Sequence, residues 1–186
     1  MQSKTRVWVE GTILAALAMV LSFIPLKIGV SFSISLGQIA LTVFAARRGL
    51  KPGLLAGLIW GLLHFPLGDV YYLSIPQVLI EYLLAYLFVG FAGIYAPKIH
   101  QSILQGNKKT RNKYLVLTGL VGAGARYFWH FIAGWIFWGD YVQWGMSPVI
   151  YSLAMNGLSG LATGIVSIIA LVIIGEIYPQ LYLPKN

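Results

Sequence analysis

Long apolar runs are the feature of this sequence that most limits its possible folds. Several of them approach or exceed the ~20 residues that a helix needs to cross about 30 Å of hydrocarbon. Hydrophobic residues make up 58% of the 186 positions, charged residues only 10%, and the mean hydropathy is +0.77. Ordinary water-soluble domains of this size do not have such a composition. The sequence therefore predicts an all-α integral membrane protein.

The apolar runs predict a bundle of six transmembrane helices in a single domain over residues 1–186, without an internal repeat. They cover roughly residues 6–25, 38–46, 52–67, 75–95, 114–138 and 149–177. The second run is short for a crossing, so we expect it to take residues from the preceding serine-containing segment, which is predicted to be irregular or extended. We expect Pro97 to end the fourth span and the polar stretch 98–113 to form a loop.

Lysine and arginine residues indicate how these spans are oriented. Eleven of the thirteen lie on one side of the predicted membrane, including Lys4, Arg6 and Lys185 near the chain ends; only Lys27 and Arg126 are left over. Because positively charged loops stay in the cytoplasm, both the N and C termini are predicted to be cytoplasmic. The net charge of +8 is thus explained by topology, and no nucleic-acid partner is expected.

Several kinds of chemistry are excluded or weakened by what the sequence lacks. There is no cysteine, so disulfides, thiolate catalysis and cysteine-ligated metals are excluded. The three histidines lie on different segments without metal-ligand spacing, and no HExxH or GxSxG motif occurs. No GxxxxGK[ST] motif is present either, so any ATP hydrolysis must be carried out by a partner. We expect no cofactor.

Ionisable and aromatic residues are repeated at helical spacing in the fifth span. Arg126, His130, Gly134 and Trp138 recur every four residues and so share one face of a helix. A face that is bare at a glycine and flanked by rings can admit a flat molecule. The alternative is a packing face, with the glycine at a helix contact and the polar groups satisfied by neighbouring helices.

Other unusual side chains are predicted to lie at the same depth, in the outward half of the membrane. Glu81 lies about two turns inside the fourth span, Tyr71 in an outer loop, and Tyr151 and Asn156 at the outer start of the sixth span. A carboxylate inside the membrane costs about 2.5–3.5 kcal/mol, so either Arg126 neutralises it in a structural pair or a cationic ligand does so. A carboxylate, aromatic rings and an amide would suit a flat, nitrogen-rich cation.

More ordinary roles remain open for each of these residues. Trp138 could be an interfacial tryptophan, and Tyr151 and Asn156 could be interhelical hydrogen-bonding residues. His130 could be a satisfied core histidine. A membrane-embedded enzyme could use Glu81 and His130 as acid and base, although no nucleophile or metal ligand accompanies them.

Four segments of the chain resemble the thiamine-specific substrate-binding subunits (S components) of energy-coupling-factor (ECF) vitamin transporters. They are Arg47–Gly61, the pair Glu81–Tyr82, Arg126–Trp138 and Tyr151–Gly157. The resemblance implies a prokaryotic plasma-membrane protein, not an enzyme, with a vitamin pocket near the outer face. It implies that Glu81 meets the cationic and aminopyrimidine parts of thiamine and that His130 and Trp138 stack on its rings. It further implies hydrogen bonds from Tyr151 and Asn156, with the wall completed by Tyr71, Tyr82, Trp60 and Gly134.

The resemblance also implies partners, and the chain departs from the family pattern in two places. The implied partners are a transmembrane coupling protein and two cytoplasmic ATPases, with membrane lipid around the bundle. The family's Ala-x-x-x-Ala docking pattern in span one stands here as Thr12-x-x-x-Ala16, and Ser31 and Ser35 occupy the outer-loop positions nearest to a tryptophan and a glutamate of some relatives. An S component for another heterocyclic vitamin is the alternative.

Overall fold

A computed structural model describes residues 4–28 and 32–184 of the chain, and these residues form six main helices. The helices are α1 (Lys4–Ser22), α2 (Gly37–Arg48), α3 (Leu50–Leu63), α4 (Ile75–Leu104), α5 (Lys108–Phe137) and α6 (Pro148–Ile177). Four of them, α1, α4, α5 and α6, are long and apolar enough to cross a membrane. The all-α fold predicted from the sequence is confirmed.

A short extended segment precedes α2 and explains why that helix is only 12 residues long. Strands β1 (Lys27–Ile28) and β2 (Phe32–Ser33) form a small antiparallel hairpin. The backbone N–H groups of Ser33 and Ser35 then donate to the hydroxyls of Ser159 and Thr163 on α6, each over 3.1 Å. These hydroxyls satisfy backbone groups that would otherwise need a helix or water, so the chain can stay extended beside α6.

The described part of the serine-containing segment is extended, as the sequence predicts, and of these residues only Gly37 joins the second helix. The helix begins at Gly37, and the residues before it contribute an extended run. A side chain at Gly37 would collide with α1, because a Cβ there would meet the carbonyl oxygen of Ala18. Ser31 and Ser35 occupy the positions nearest to a tryptophan and a glutamate of some relatives. The structure describes Ser35, whereas Ser31 lies outside the described residues.

Helix α4 departs from regular α geometry twice. The prediction that it ends at Pro97 is wrong, because the helix continues to Leu104. Residues Leu79–Leu84 form a π-helical turn, and Val89–Tyr95 form a tighter 3-10 stretch. Pro97 then stands in the first turn of the α-helical segment Ala96–Leu104, where the missing N–H of a proline costs nothing. The predicted loop 98–113 is consequently helical except around residues 105–107.

Glycines allow the backbones of neighbouring helices to approach one another closely. On α3, a Cβ at Gly57 or Gly61 would meet the backbone carbonyl oxygens of Tyr86 and Tyr82 of α4. Between α5 and α6, one added at Gly160 would stand 2.9 Å from the Tyr127 side chain. Small residues at such contacts are typical of helices that associate inside a membrane.

The start of α1, the end of α2 and the segment after α6 meet at one end of the bundle. Glu10 forms ion pairs with Arg47, over 2.7 Å, and with Arg48. Arg47 also donates to the carbonyl oxygen of Leu181. The described residues near both chain ends therefore lie on one side, as the charge distribution predicts; Lys185 lies outside the described residues.

Candidate ligand-binding cavity

A cavity of about 530 Å³ opens at the opposite end of the bundle, among the outer parts of α4, α5 and α6. The loop after α3 and the β1 strand complete its wall. Residues just after α5 also line it, so the cavity draws its side chains from six separate parts of the chain. Its lining residues are Lys27, Tyr71, Tyr72, Leu73, Glu81, Tyr82, His130, Gly134, Trp138, Tyr141, Tyr151, Ser152, Met155 and Asn156.

The Glu81 carboxylate is the acidic group of this cavity, and two neutral N–H groups hold it. The indole Nε1 of Trp138 donates to Oε1 over 2.6 Å, and the amide Nε2 of Gln77 donates to Oε2. Among the described residues, no lysine, arginine or histidine forms an ion pair with Glu81. The carboxylate is therefore oriented by hydrogen bonds while its charge has no counter-ion from the described part of the protein.

The π-helical turn of α4 places Glu81 and its neighbour Tyr82 on the same cavity wall. π turns widen a helix by one residue and are frequent at functional sites. The hydroxyl of Tyr82 accepts the backbone N–H of Tyr71 over 2.9 Å, which fixes the loop after α3 against α4. Tyr71 in turn lies edge-on to Trp138, with ring centroids 6.1 Å apart.

His130 presents a second polar group to the cavity. Its Nε2 is buried and has no hydrogen-bond partner among the described residues. The ring itself is held by two tyrosines, since its centroid lies 5.5 Å from that of Tyr127 and 6.0 Å from that of Tyr86. A buried nitrogen without a partner, at the edge of a cavity, is a group that a ligand could satisfy.

Gly134 lets α6 come close enough to bring Asn156 to the cavity. A Cβ at Gly134 would collide with the hydroxyl of Ser152 and stand 3.0 Å from Nδ2 of Asn156. The Ser152 hydroxyl donates to the carbonyl oxygen of Phe131 over 2.8 Å and accepts from Asn156 Nδ2 over 3.1 Å. No hydrogen bond within the described residues uses the amide oxygen of Asn156, a residue that lines the cavity.

The structure brings eight of the ten predicted site residues together, but Trp60 and Arg126 are not among the described residues that line the cavity. Both are buried below it, 0% and 5% exposed. The Arg126 guanidinium lies 4.8 Å from the Trp60 ring and 4.5 Å from that of Tyr86, and its Nη1 donates to Gln38 over 3.2 Å. Aromatic faces and an amide therefore accommodate this cation, and the structural pair between Arg126 and Glu81 is not formed.

The prediction that Arg126 lies in the site with His130, Gly134 and Trp138 fails for a simple geometric reason. Spacing by four identifies a shared face but not a depth, and each step of four residues descends about 6 Å along the helix. Trp138, Gly134 and His130 reach the cavity, whereas Arg126 lies one step too deep and packs against rings below the floor.

Sequence reasoning missed several lining residues and one residue behind the wall. Ser152 stands four positions before Asn156 and Gln77 four before Glu81, so the same spacing rule could have found both. Lys27 does not fit the charge distribution, and a single lysine on the predicted outer side could have indicated that it lies near a site there. No sequence pattern marked Met155 or Tyr141.

The fold and the cavity together define a multi-pass, all-helical membrane protein with a small-molecule cavity at one end of the bundle. Comparison with known families places it more closely. The chain belongs to the family described as "Thiamine transporter protein", whose model matches residues 8–183.

Individual relatives agree with that placement. The chain is 35% identical to the thiamine transporter ThiT of Lacticaseibacillus paracasei over 181 residues, which is 95% of this chain and 90% of that protein. It is 28% identical to the ThiT of Bacillus subtilis, over 93% of this chain and 92% of that one. A solved structure of ThiT from Listeria monocytogenes superposes with a TM-score of 0.95 at 44% identity, covering 97% of this chain and 99% of the other.

Proposed function

We propose that this protein binds thiamine in the outer cavity and takes part in its uptake into the cell. Membership of the thiamine transporter family and the ThiT relatives support this substrate. The single observation that carries the assignment is the Glu81 carboxylate, which two N–H donors orient and no described cation neutralises. Thiamine brings a fixed positive charge on its thiazolium ring and hydrogen-bonding nitrogens on its aminopyrimidine ring.

The walls of the cavity fit the remaining chemistry of such a ligand. Trp138, Tyr71 and Tyr82 offer ring surfaces on which flat heterocycles and a cation can stack. His130 Nε2 and the Asn156 amide are polar groups available for hydrogen bonds to ring nitrogens or to the hydroxyethyl group. Tyr151 contributes a further ring at the α6 side.

We also propose that uptake needs an ECF module, made of a transmembrane coupling protein and two cytoplasmic ATPases. The absence of a phosphate-binding GxxxxGK[ST] motif from the chain is consistent with this, because any ATP hydrolysis must then be carried out by a partner. Helix α1 offers a place for the coupling protein. Its Gly11 and Ala15 face the bundle, whereas Thr12 and Ala16 are exposed on the other side.

Binding of thiamine to the purified protein in detergent tests the proposal. We expect saturable quenching of tryptophan fluorescence, because Trp138 lines the cavity, and a matching one-to-one titration by calorimetry. Competition with other heterocyclic vitamins separates thiamine from the alternative ligands. A folded wild-type protein that binds another vitamin in preference to thiamine would overturn the substrate, and one that binds none would overturn the site.

A further inference from the structure

The side chain of Gln77 stands directly behind the cavity wall and is fully buried, with 0% exposure. It is not among the described residues that line the cavity, so it would not touch a ligand. It lies one helical turn before Glu81, at the N-terminal end of α4. The loop 68–74 passes over it on the outer side.

All the hydrogen-bonding groups of this amide are in use. Its Oε1 accepts the backbone N–H of Leu73 over 3.1 Å. Its Nε2 donates one hydrogen to the carbonyl oxygen of Tyr71, over 3.1 Å, and the other to Oε2 of Glu81. The reversed orientation would place an N–H against the N–H of Leu73 and an oxygen against two acceptors, so the network admits only one orientation.

These contacts connect the outer loop to the carboxylate through a single rigid group. Movement of the loop at Tyr71 or Leu73 must displace the amide, and displacement of the amide removes one of the two N–H donors from Glu81. The second donor, Trp138, directly follows a different helix, α5, and cannot compensate, because it holds the other oxygen.

We propose that Gln77 is a positioning residue that couples the conformation of loop 68–74 to the recognition of positive charge by Glu81. The inference rests on the proposed binding of thiamine. The amide fixes the position of Oε2, and with Trp138 on Oε1 it holds the carboxylate in one orientation for a cation in the cavity. A ligand cation at Glu81 in turn stabilises the loop that closes this side of the cavity.

A charge-dependent change in affinity tests this role. Gln77→Met has a side chain of similar length but cannot make the three hydrogen bonds. We expect it to weaken thiamine binding by at least about tenfold, whereas binding of a neutral analogue, with an uncharged ring in place of the thiazolium, changes by less than about threefold. In a Glu81→Gln background the same substitution should have little further effect, because no charge remains to be oriented.

Ser74→Ala is the matched control. It removes the cap on the same helix end, where Ser74 Oγ accepts the Gln77 backbone N–H over 3.3 Å, but leaves the Gln77 amide and Glu81 untouched. It should change the affinity for both ligands by less than about threefold. Equal losses for thiamine and the neutral analogue in Gln77→Met, or unchanged thiamine binding, would overturn the proposal.

Amide hydrogen exchange in the wild-type protein provides a test that does not depend on folding of a variant. Saturation with thiamine should slow exchange at the Leu73 amide more strongly than saturation with the neutral analogue does. Equal protection by the two ligands would contradict the coupling even though thiamine binds. A wild-type protein that does not bind thiamine would instead refute the proposed function, and this inference with it.

Discussion

Replacement of Glu81 by glutamine is the most direct test of charge recognition in the cavity. The substitution keeps the size of the side chain and removes its negative charge, and its NH2 group also replaces one of the two oxygens that accept N–H donors. Because no described residue supplies a counter-ion to Glu81, the charge is available to a ligand cation. The loss should therefore appear in the affinity for cationic ligands and much less in that for neutral ones.

The expected magnitude follows from Coulomb's law. For unit charges about 5 Å apart at an effective dielectric constant of about 20, the attraction is roughly 3 kcal/mol. A loss of that size corresponds to an approximately 100-fold weaker binding of thiamine. Glu81→Asp keeps the charge but withdraws it by about 1.5 Å, which lowers the same attraction by only about 0.8 kcal/mol, or roughly fourfold.

Titration calorimetry in detergent measures these affinities, with a neutral thiamine analogue as the comparison ligand. We expect the thiamine affinity to fall in the order wild type, Glu81→Asp, Glu81→Gln, and we expect Glu81→Gln to weaken binding of the neutral analogue much less than binding of thiamine. The reasoning is refuted if Glu81→Gln costs less than about threefold for thiamine, or if both ligands lose affinity equally.

Three further substitutions test other parts of the structure. Trp138→Phe keeps a ring but removes the N–H that orients the site carboxylate, and we expect calorimetry to show roughly tenfold weaker thiamine binding. Thr163→Val removes the acceptor of the Ser35 N–H and should lower the free energy of unfolding by about 1–3 kcal/mol, whereas Thr163→Ser should not. Gly134→Ala forces α5 away from a serine hydroxyl of α6 and should weaken binding at least about tenfold; Gly124→Ala, on the same helix with open space around it, should leave binding unchanged.

The membrane class and the outward gathering of polar residues could be predicted because both follow from simple regularities. Apolar run length identifies the helices, and alternation of topology places Glu81, His130 and Asn156 at one depth even though they lie on three helices. Such reasoning needs no knowledge of packing, and it identifies seven of the fourteen described residues that line the cavity.

The contacts that hold the irregular parts of the fold could not be predicted, because the partner groups are distant in the sequence. The extended run before α2 is held by hydroxyls of Ser159 and Thr163, more than a hundred residues away. Pro97 is a helix-ending signal in isolation, yet here it follows a 3-10 stretch and occupies a first turn. The alternation of serine and apolar residues predicts an extended run, but neither its partners on α6 nor the continuation of the helix past Pro97 is encoded locally.

Buried polar residues posed a similar problem at Arg126 and Trp60. Both belong to residue types that frequently contact ligands, but Arg126 lies below the cavity on α5 and Trp60 lies on α3, which contributes no described lining residue. Their actual partners are each other, the ring of Tyr86 and the amide of Gln38. A cation enclosed by rings and an amide is a structural solution that spacing alone cannot distinguish from a binding site.

The π-helical turn Leu79–Leu84 divides α4 into an outer part that lines the cavity and an inner part that packs against neighbouring helices. One extra residue in a turn rotates the outer part by about 100° relative to a continuous α-helix. The residues that face the cavity therefore do not follow the helical spacing that places Gly90 and Gly93 against the backbone of α3 and the residue before it. Divergence toward another cargo could then proceed by exchanging side chains around Gln77 and Glu81 while the inner half of the helix, and the architecture that depends on it, stays the same.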